Sequence, residues 1–281
     1  MKMNSDHTHP GREEAPVLTS FNLTHCHERD SHVHFYPDSH TYTFDDTPAD
    51  AVSTIIATWF PTFDAERNAE RKATPDHPKQ QYLEEWASRG GEARAVGTYM
   101  HAQIEQSLLG QPVGDTCIYS YHGAYVNIEK QVPITSELRY FHRFMEKWKP
   151  VPYRTEWRIC DEEHHIAGTI DFLTRDDAGR FIMFDWKRSN KVGSPKGLGF
   201  QPCRNNPYHR TAYGLLAHLD DMPYNHYCLQ QNLYRYILQR CYGISLAAMY
   251  LVILHPDYTT YHCVPVPTME PEVNILLSRR T

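Results

Sequence analysis

Two strongly apolar runs stand close together near the middle of the chain: HIAGTIDFLTR (165–175) and RFIMFDWK (180–187), separated by DDAG. Apolar runs of this length, bounded by a Gly-containing turn, read as buried strands. So short a link makes them antiparallel neighbours. Yet each run carries an acid, Asp171 and Asp185, and the second also carries Lys187. On a strand, Asp185 and Lys187 share one face and Trp186 takes the other. Burying one charge is costly, and a pair is tolerated only with good partners. Any fold for this chain must therefore place an ionised cluster at the end of a buried hairpin.

The surrounding segments say what kind of fold that is. A third strand, YRTEWRIC (153–160), precedes the hairpin and carries Glu156. Before it, 136–149 reads as an amphipathic helix with Ser136 as N-cap, ended by Pro150 and Pro152. Lys79 to Leu109 read as helix, broken or bent around Gly90-Gly91. Within it Ala93, Gly97, His101, Ile104, Glu105 and Leu108 fall on one face. Residues 32–46 alternate around a Pro-Asp-Ser turn as a small hairpin, and 49–73 read as one or two helices interrupted near Pro61. Residues 190–223 are rich in Gly, Pro and Asn and read as a long loop. A helix over 224–242 stops at Gly243, strands follow at 246–254 and 258–266, and a short helix closes the chain. Helix, three strands, helix, strand implies an α/β fold with a central mixed sheet flanked by helices.

Composition narrows the function. The 281 residues suffice for one large domain, with residues 1–24 expected as a disordered polar tail and 25–281 as the domain. No apolar run approaches the roughly 20 residues of a membrane span. The N-terminal segment lacks the apolar stretch of a signal peptide. A cytoplasmic, nuclear, organellar or viral intracellular setting is expected, with no membrane partner. Seven scattered cysteines form no CxxC pair, which argues against a disulfide framework and an iron–sulfur cluster. Net charge is −6, but Arg139–Arg210 holds 14 Lys/Arg against 9 Asp/Glu, so a local basic groove is compatible with the composition.

The charges on the three strands carry the chemistry. The 14-residue separation lets Asp171 lie near Asp185, with Glu156 one strand further back. Adjacent carboxylates repel, and one takes up a proton unless a cation intervenes. Oxygen ligands with room for water suit Mg²⁺ or Mn²⁺. Such an ion polarises a phosphate oxygen and activates water. A lysine alongside adds a compact positive charge where phosphodiester cleavage builds negative charge.

GTID followed by FDWK resembles the motifs of the PD-(D/E)XK nuclease superfamily, in its RecB-like and lambda-exonuclease-like branch. VGTYMHAQIE (96–105) resembles that family's first-helix motif, and YCLQQNLYRYIL (227–238) its Q-x-x-x-Y helix, through Gln230 and Tyr234. The match runs over about 93–255. The 32–73 segment more loosely resembles the leader of mitochondrial genome maintenance-type exonucleases. The resemblance implies a restriction-endonuclease-like αβββαβ core. It implies that Asp171, Asp185, His101 and the Trp186 carbonyl ligate the metal, that Lys187 is the catalytic lysine, and that Glu156 is an additional acid. Glu105, Arg188, Gln230 and Tyr234 are expected to support the site or contact nucleic acid. It implies a DNA exonuclease or single-strand end-processing enzyme, with a helicase or a replication or repair protein as a further partner. The alternative is a nuclease fold that binds nucleic acid as a scaffold without cutting it.

Each signal has a plainer reading. Asp185 and Lys187 alone make a strand-end salt bridge. His101 alone is a satisfied helix histidine, and Gln230 with Tyr234 an ordinary half-buried helix face. His25, Cys26, His27, His32, His34 and His40 crowd together, but their spacing matches no closed zinc pattern. Arg139, Arg143, Lys147 and Lys149 fit a solvated helix face or a track for phosphates. Lys187, Arg188, Lys191 and Lys196 lead from the site into the long loop.

Overall fold

The computed structural model describes residues 20–278, apart from 38, 40 and 198. In chain order the first elements are α1 (Ser20–Thr24), β1 (Val33–Tyr36), β2 (Thr41–Phe44), β3 (Thr47–Ala51), α2 (Val52–Ala57), α3 (Ala65–Lys72) and α4 (Lys79–Leu108). Next come β4 (Thr116–His122), β5 (Asn127–Pro133), α5 (Thr135–Trp148), β6 (Pro152–Asp161), β7 (Ile166–Arg175) and β8 (Phe181–Lys187). The chain continues through β9 (Gly193–Lys196), β10 (Gly199–Pro202), α6 (Pro223–Cys241), β11 (Leu246–Ile253), β12 (His262–Pro265) and α7 (Glu270–Leu277).

Eight strands form one mixed sheet in the order β1-β2-β3-β7-β8-β11-β12, with β6 on the other edge of β7. β8 and β11 are parallel, joined through α6, and β3 runs parallel to β7. This is a mixed α/β fold with helices on both sides. Apolar residues of α2, α6 and α7 form one core against Trp157, Ile170, Met183 and Leu251. Those of α4 and α5 form a second core against Phe172, Phe184 and Trp186. The alternation of β8 is what divides them, since Met183 faces one core while Phe184 and Trp186 face the other.

One strand relationship positions the site. β7 pairs with β8 from Arg175↔Phe181 only as far as Phe172↔Phe184. At its other end it pairs with β3, at Ile166 and Ala167. Between these stretches β7 and β8 part, and residues 168–171 face an opening in the sheet. The pleat changes there too, because Ile170 and Phe172 belong to opposite cores despite lying two residues apart. On β6, Glu156 lies by register across from Asp171 and adopts φ 45°, a conformation rare for a residue with a Cβ.

Several expectations need correction. α4 is unbroken through Gly90-Gly91. Gly91 instead admits the Tyr119 ring, whose hydroxyl would lie 2.7 Å from an added Cβ and which donates to the Ser88 carbonyl at 2.7 Å. That contact docks the β4–β5 hairpin, a unit not expected from sequence. Glu84 of α4 closes the hairpin turn by accepting from the amides of Ala124, Tyr125 and Val126 (3.2, 2.7 and 2.9 Å). The helix expected from residue 49 begins only at Val52, because 47–51 extend the 32–46 hairpin into a third strand that reaches β7. Ser136 lies inside the first turn of α5, and the N-cap position is Ile134, without a side-chain cap. The 190–223 segment contains the β9–β10 hairpin. Residues 1–19 of the expected tail lie outside the described residues, but Ser20–Thr24 are helical. Asn22 fixes them there, its side-chain amide exchanging two hydrogen bonds with the backbone of Thr155 (3.2 and 3.0 Å) as a neighbouring strand would.

Candidate active site

The opening between β7 and β8 collects side chains from five elements. Asp171 stands at its mouth. The ladder has ended one residue earlier, and the Asp171 carboxylate takes over by accepting from the Trp186 amide at 2.8 Å. β6 brings Glu156 and α4 brings His101. Nδ1 of His101 lies 3.5 Å from Asp171 Oδ2 and 4.0 Å from Glu156 Oε1. Its Nε2 lies 2.9 Å from the Trp186 carbonyl oxygen. One donor atom from each of His101, Glu156 and Asp171 falls within 4.8 Å of the others.

Asp185 faces the other half of the site. Its Oδ2 lies 2.7 Å from the Lys187 ammonium, as the shared strand face requires. It is therefore outside the tight His101–Glu156–Asp171 group, although its charge is felt by both Glu156 and His101. Lys187 in turn donates to Gln230 Oε1 at 3.3 Å, and Gln230 Nε2 donates to the Tyr234 hydroxyl at 3.0 Å. The ammonium also sits 4.4 Å from the centre of the Tyr227 ring, a cation–π contact. Sequence reasoning missed Tyr227. The signal was available, since 227, 230 and 234 repeat at i, i+3 and i+7 on one face of α6.

The remaining expected residues take different places. Glu105, one turn beyond His101 on α4, adds negative charge to the environment of Glu156. Arg188 points away from the opening and pairs with the fully buried Glu137 of α5 at 2.7 Å. That pair fastens the end of β8 to α5. The histidine-rich leader is structural: His25 stacks on Tyr153, His27 caps the 28–31 turn, and His32 pairs with Asp45. Cys26 is exposed, and His40 lies outside the described residues.

The electrostatics of the cluster are unbalanced. Burial pushes the carboxyls of Asp171 and Asp185 up to about 6, against the pull of Lys187. Burial, and then the charge of Asp171, raises Glu156 well above the usual carboxylate range. Burial, aided by Lys187, lowers His101 to about 4 and keeps its imidazole neutral. Lys187 is itself pushed down by burial, but the Asp185 and Asp171 carboxylates outweigh this and raise it. A neutral imidazole has one N–H. Both ring nitrogens of His101 face acceptors, so one lone pair is directed at an oxygen. Three acids, a carbonyl and an imidazole lone pair thus gather where, among the described residues, the positive charges are Lys187, already held by Asp185, and the Arg158 guanidinium, whose charge is felt by Glu156. A hard divalent cation fits that donor set. Solvent reaches it, since the His101 and Glu156 side chains remain 27% and 28% exposed.

No protein-family model matches the chain, and no curated protein does. Among solved structures the chain is matched weakly to one described as the crystal structure of SSO0001, with 13% identity and a TM-score of 0.31 over 82% of this chain and 74% of that one. A score that low carries no argument about function.

Proposed function

We propose that the protein is a divalent-metal-dependent nuclease of the PD-(D/E)XK kind, acting on DNA as an exonuclease or single-strand end-processing enzyme. The convergence of His101, Glu156 and Asp171 beside Lys187, at the point where β7 and β8 part, carries this reading. Asp171, Glu156, His101 and the Trp186 carbonyl would hold a Mg²⁺ or Mn²⁺ ion, with Asp185 completing the set from the lysine side. When bound, the ion would polarise a phosphate oxygen and make water a better nucleophile. Lys187 supplies positive charge where the attacked phosphate gains negative charge, and protein dipoles aimed there beforehand cost no reorganisation. Gln230 and Tyr234 fix the direction of the ammonium, and Tyr227 shields one side of it from water. His101, uncharged, offers a lone pair, while Glu156 is solvent-accessible and able to orient water. The strained backbone at Glu156 is the kind of outlier that persists at functional sites.

The test is incubation of labelled single- and double-stranded DNA, linear and circular, with Mg²⁺, Mn²⁺ or EDTA. Metal-dependent products that vanish in Lys187→Ala and Asp171→Asn support the reading. Binding without products in any metal would leave a nucleic-acid-binding scaffold instead. Cleavage of circles would assign endonuclease action.

A further inference from the structure

We infer a second site on this chain: a cationic, aromatic pocket at the β12 edge of the sheet that takes one nucleotide unit of a single strand, base and phosphate together. The inference rests on the nuclease reading only for its ligand's context, since the pocket shares no residue with the catalytic cluster. It is a cavity of about 790 Å³ between α5, the β9–β10 hairpin and the start of β12. Arg143, Lys147, Trp148, Phe200, Tyr261 and His262 form most of its wall, and no acidic residue lines it among the described residues. That is a marked local departure in a chain of net charge −6.

The charges are uncommitted. Arg143 donates to the Thr259 carbonyl at 3.2 Å and, among the described residues, has no carboxylate partner within 4.0 Å. Lys147 makes no ion pair among the described residues, and its charge is felt by the Cys263 thiol across the pocket. The two lie four apart on α5, so both reach the same side. An anion entering here meets two cations with no acid to displace.

The apolar walls suit a flat ring. Phe200 stacks on His262 with centroids 4.6 Å apart and planes at 27°. Burial lowers the His262 pKa and favours the uncharged ring. Trp148 remains 37% exposed at the other side, braced edge-on against Phe184 and Tyr250. Cationic grooves with exposed aromatic faces bind single strands through phosphate contacts and base stacking.

The sheet sets where this pocket stands relative to the catalytic cluster. Lys187 pairs with Ile253, and Ile253 pairs with His262, so the three lie in one row across β8, β11 and β12. Two inter-strand steps separate lysine and histidine by about 10 Å. The pocket thus stands at the outer edge of the sheet, two strands from Lys187.

The test uses the full chain in EDTA, so that binding is read without cleavage. The probe is a short 5′-phosphorylated oligothymidylate, followed by fluorescence anisotropy across a salt series. Arg143→Gln with Lys147→Gln is expected to weaken binding by at least about tenfold and to make the salt slope shallower by about 0.7, the share of one phosphate contact on a single strand. Phe200→Leu, a milder change that keeps the hairpin's apolar contact, is expected to cost about tenfold with the salt slope unchanged. Photocrosslinking with a 4-thiothymidine probe should mark residues 143–148 or 199–200. Unchanged affinity and slope in both folded variants, or crosslinks confined to other segments, would overturn the pocket. Equal competition by inorganic polyphosphate and by the oligonucleotide would overturn the base-binding half. Pocket-dependent binding without metal-dependent cleavage would leave the pocket standing while the nuclease reading failed. Cleavage with binding indifferent to these residues would do the reverse.

Discussion

A Cβ atom added to Gly168 would lie 2.4 Å from Cε1 of Tyr234, so the glycine of GTID is required by the tyrosine of the Q-x-x-x-Y helix. Two motifs more than sixty residues apart are thus halves of one contact. Tyr234 is 5% exposed and its hydroxyl accepts from Gln230, which leaves its ring little room to move. Gly168→Ala should lower stability by about 1–3 kcal/mol, the usual range for overpacking, as read by urea unfolding. Combining it with Tyr234→Ala should cost less than the sum of the two single changes. Strict additivity would show that the contact does not dictate the glycine.

Lys187 is aimed by Gln230. Gln230→Leu keeps the bulk but removes the acceptor, and the ammonium loses one of its fixed partners. Hydrogen bonds to charged groups contribute about 1.5–3 kcal/mol, so on the proposed nuclease reading any metal-dependent cleavage rate should fall about ten- to a hundredfold, with oligonucleotide affinity little changed. Tyr227→Leu should have a smaller effect in the same direction. A Gln230→Leu variant that matches the wild type in that assay would remove this residue from the account.

The acids make stability depend on pH. Asp171 and Asp185 hold protons at about 6 in the fold, against an ordinary 3.8, and Glu156 is shifted the same way. The stabilisation from those protons is complete below about 3.8 and is lost as pH rises through about 6. His101 acts oppositely. Its pKa falls from 6.5 to about 4, so its contribution is present above 6.5 and lost as pH falls through 4. Within the cluster three raised carboxyls oppose one lowered imidazole, so the cluster's own contribution to the metal-free thermal midpoint should fall between about pH 5 and pH 7, against the opposite contribution of His25, His226, His255 and His262, whose pKa values burial also lowers. Mn²⁺ should restore it, and more strongly at pH 7 than at pH 5, because binding displaces protons. Asp171→Asn should flatten both responses. A metal-free midpoint with the same pH dependence in wild type and Asp171→Asn would contradict the assignment.

The β4–β5 hairpin depends on one carboxylate. Glu84 accepts three backbone amides, and these hold its pKa below the usual range. Glu84→Ala should strip hydrogen-exchange protection from the amides of Ala124, Tyr125 and Val126 while leaving β7 and β8 protected. Retained protection at 124–126 would show that the turn closes by itself.

The sequence showed the central strands, α6 and the acids with clarity, because a buried hairpin leaves an apolar run that few other structures would produce. Asp185, Lys187 and Trp186 fall where a two-residue period puts them. What it hid depends on contacts between distant segments. Gly90-Gly91 reads as a break until Tyr119 is seen to occupy the space beside Gly91. The 190–223 stretch reads as loop because the β9–β10 hairpin is four residues a side and rich in Gly and Pro. Arg188 reads as a free cation because Glu137, its partner, lies 51 residues earlier. The division of labour between Asp171, grouped with His101 and Glu156, and Asp185, turned to Lys187, follows from the parting of β7 and β8, which no local pattern encodes.

The most direct test of the cation site is anomalous diffraction from crystals of the wild-type protein soaked in Mn²⁺. The account predicts a single strong peak between Asp171, Glu156 and His101, at bonding distances of about 2.0–2.6 Å from their donor atoms, and its loss in Asp171→Asn. No peak at millimolar Mn²⁺, or a peak only at a different acidic cluster, would contradict it.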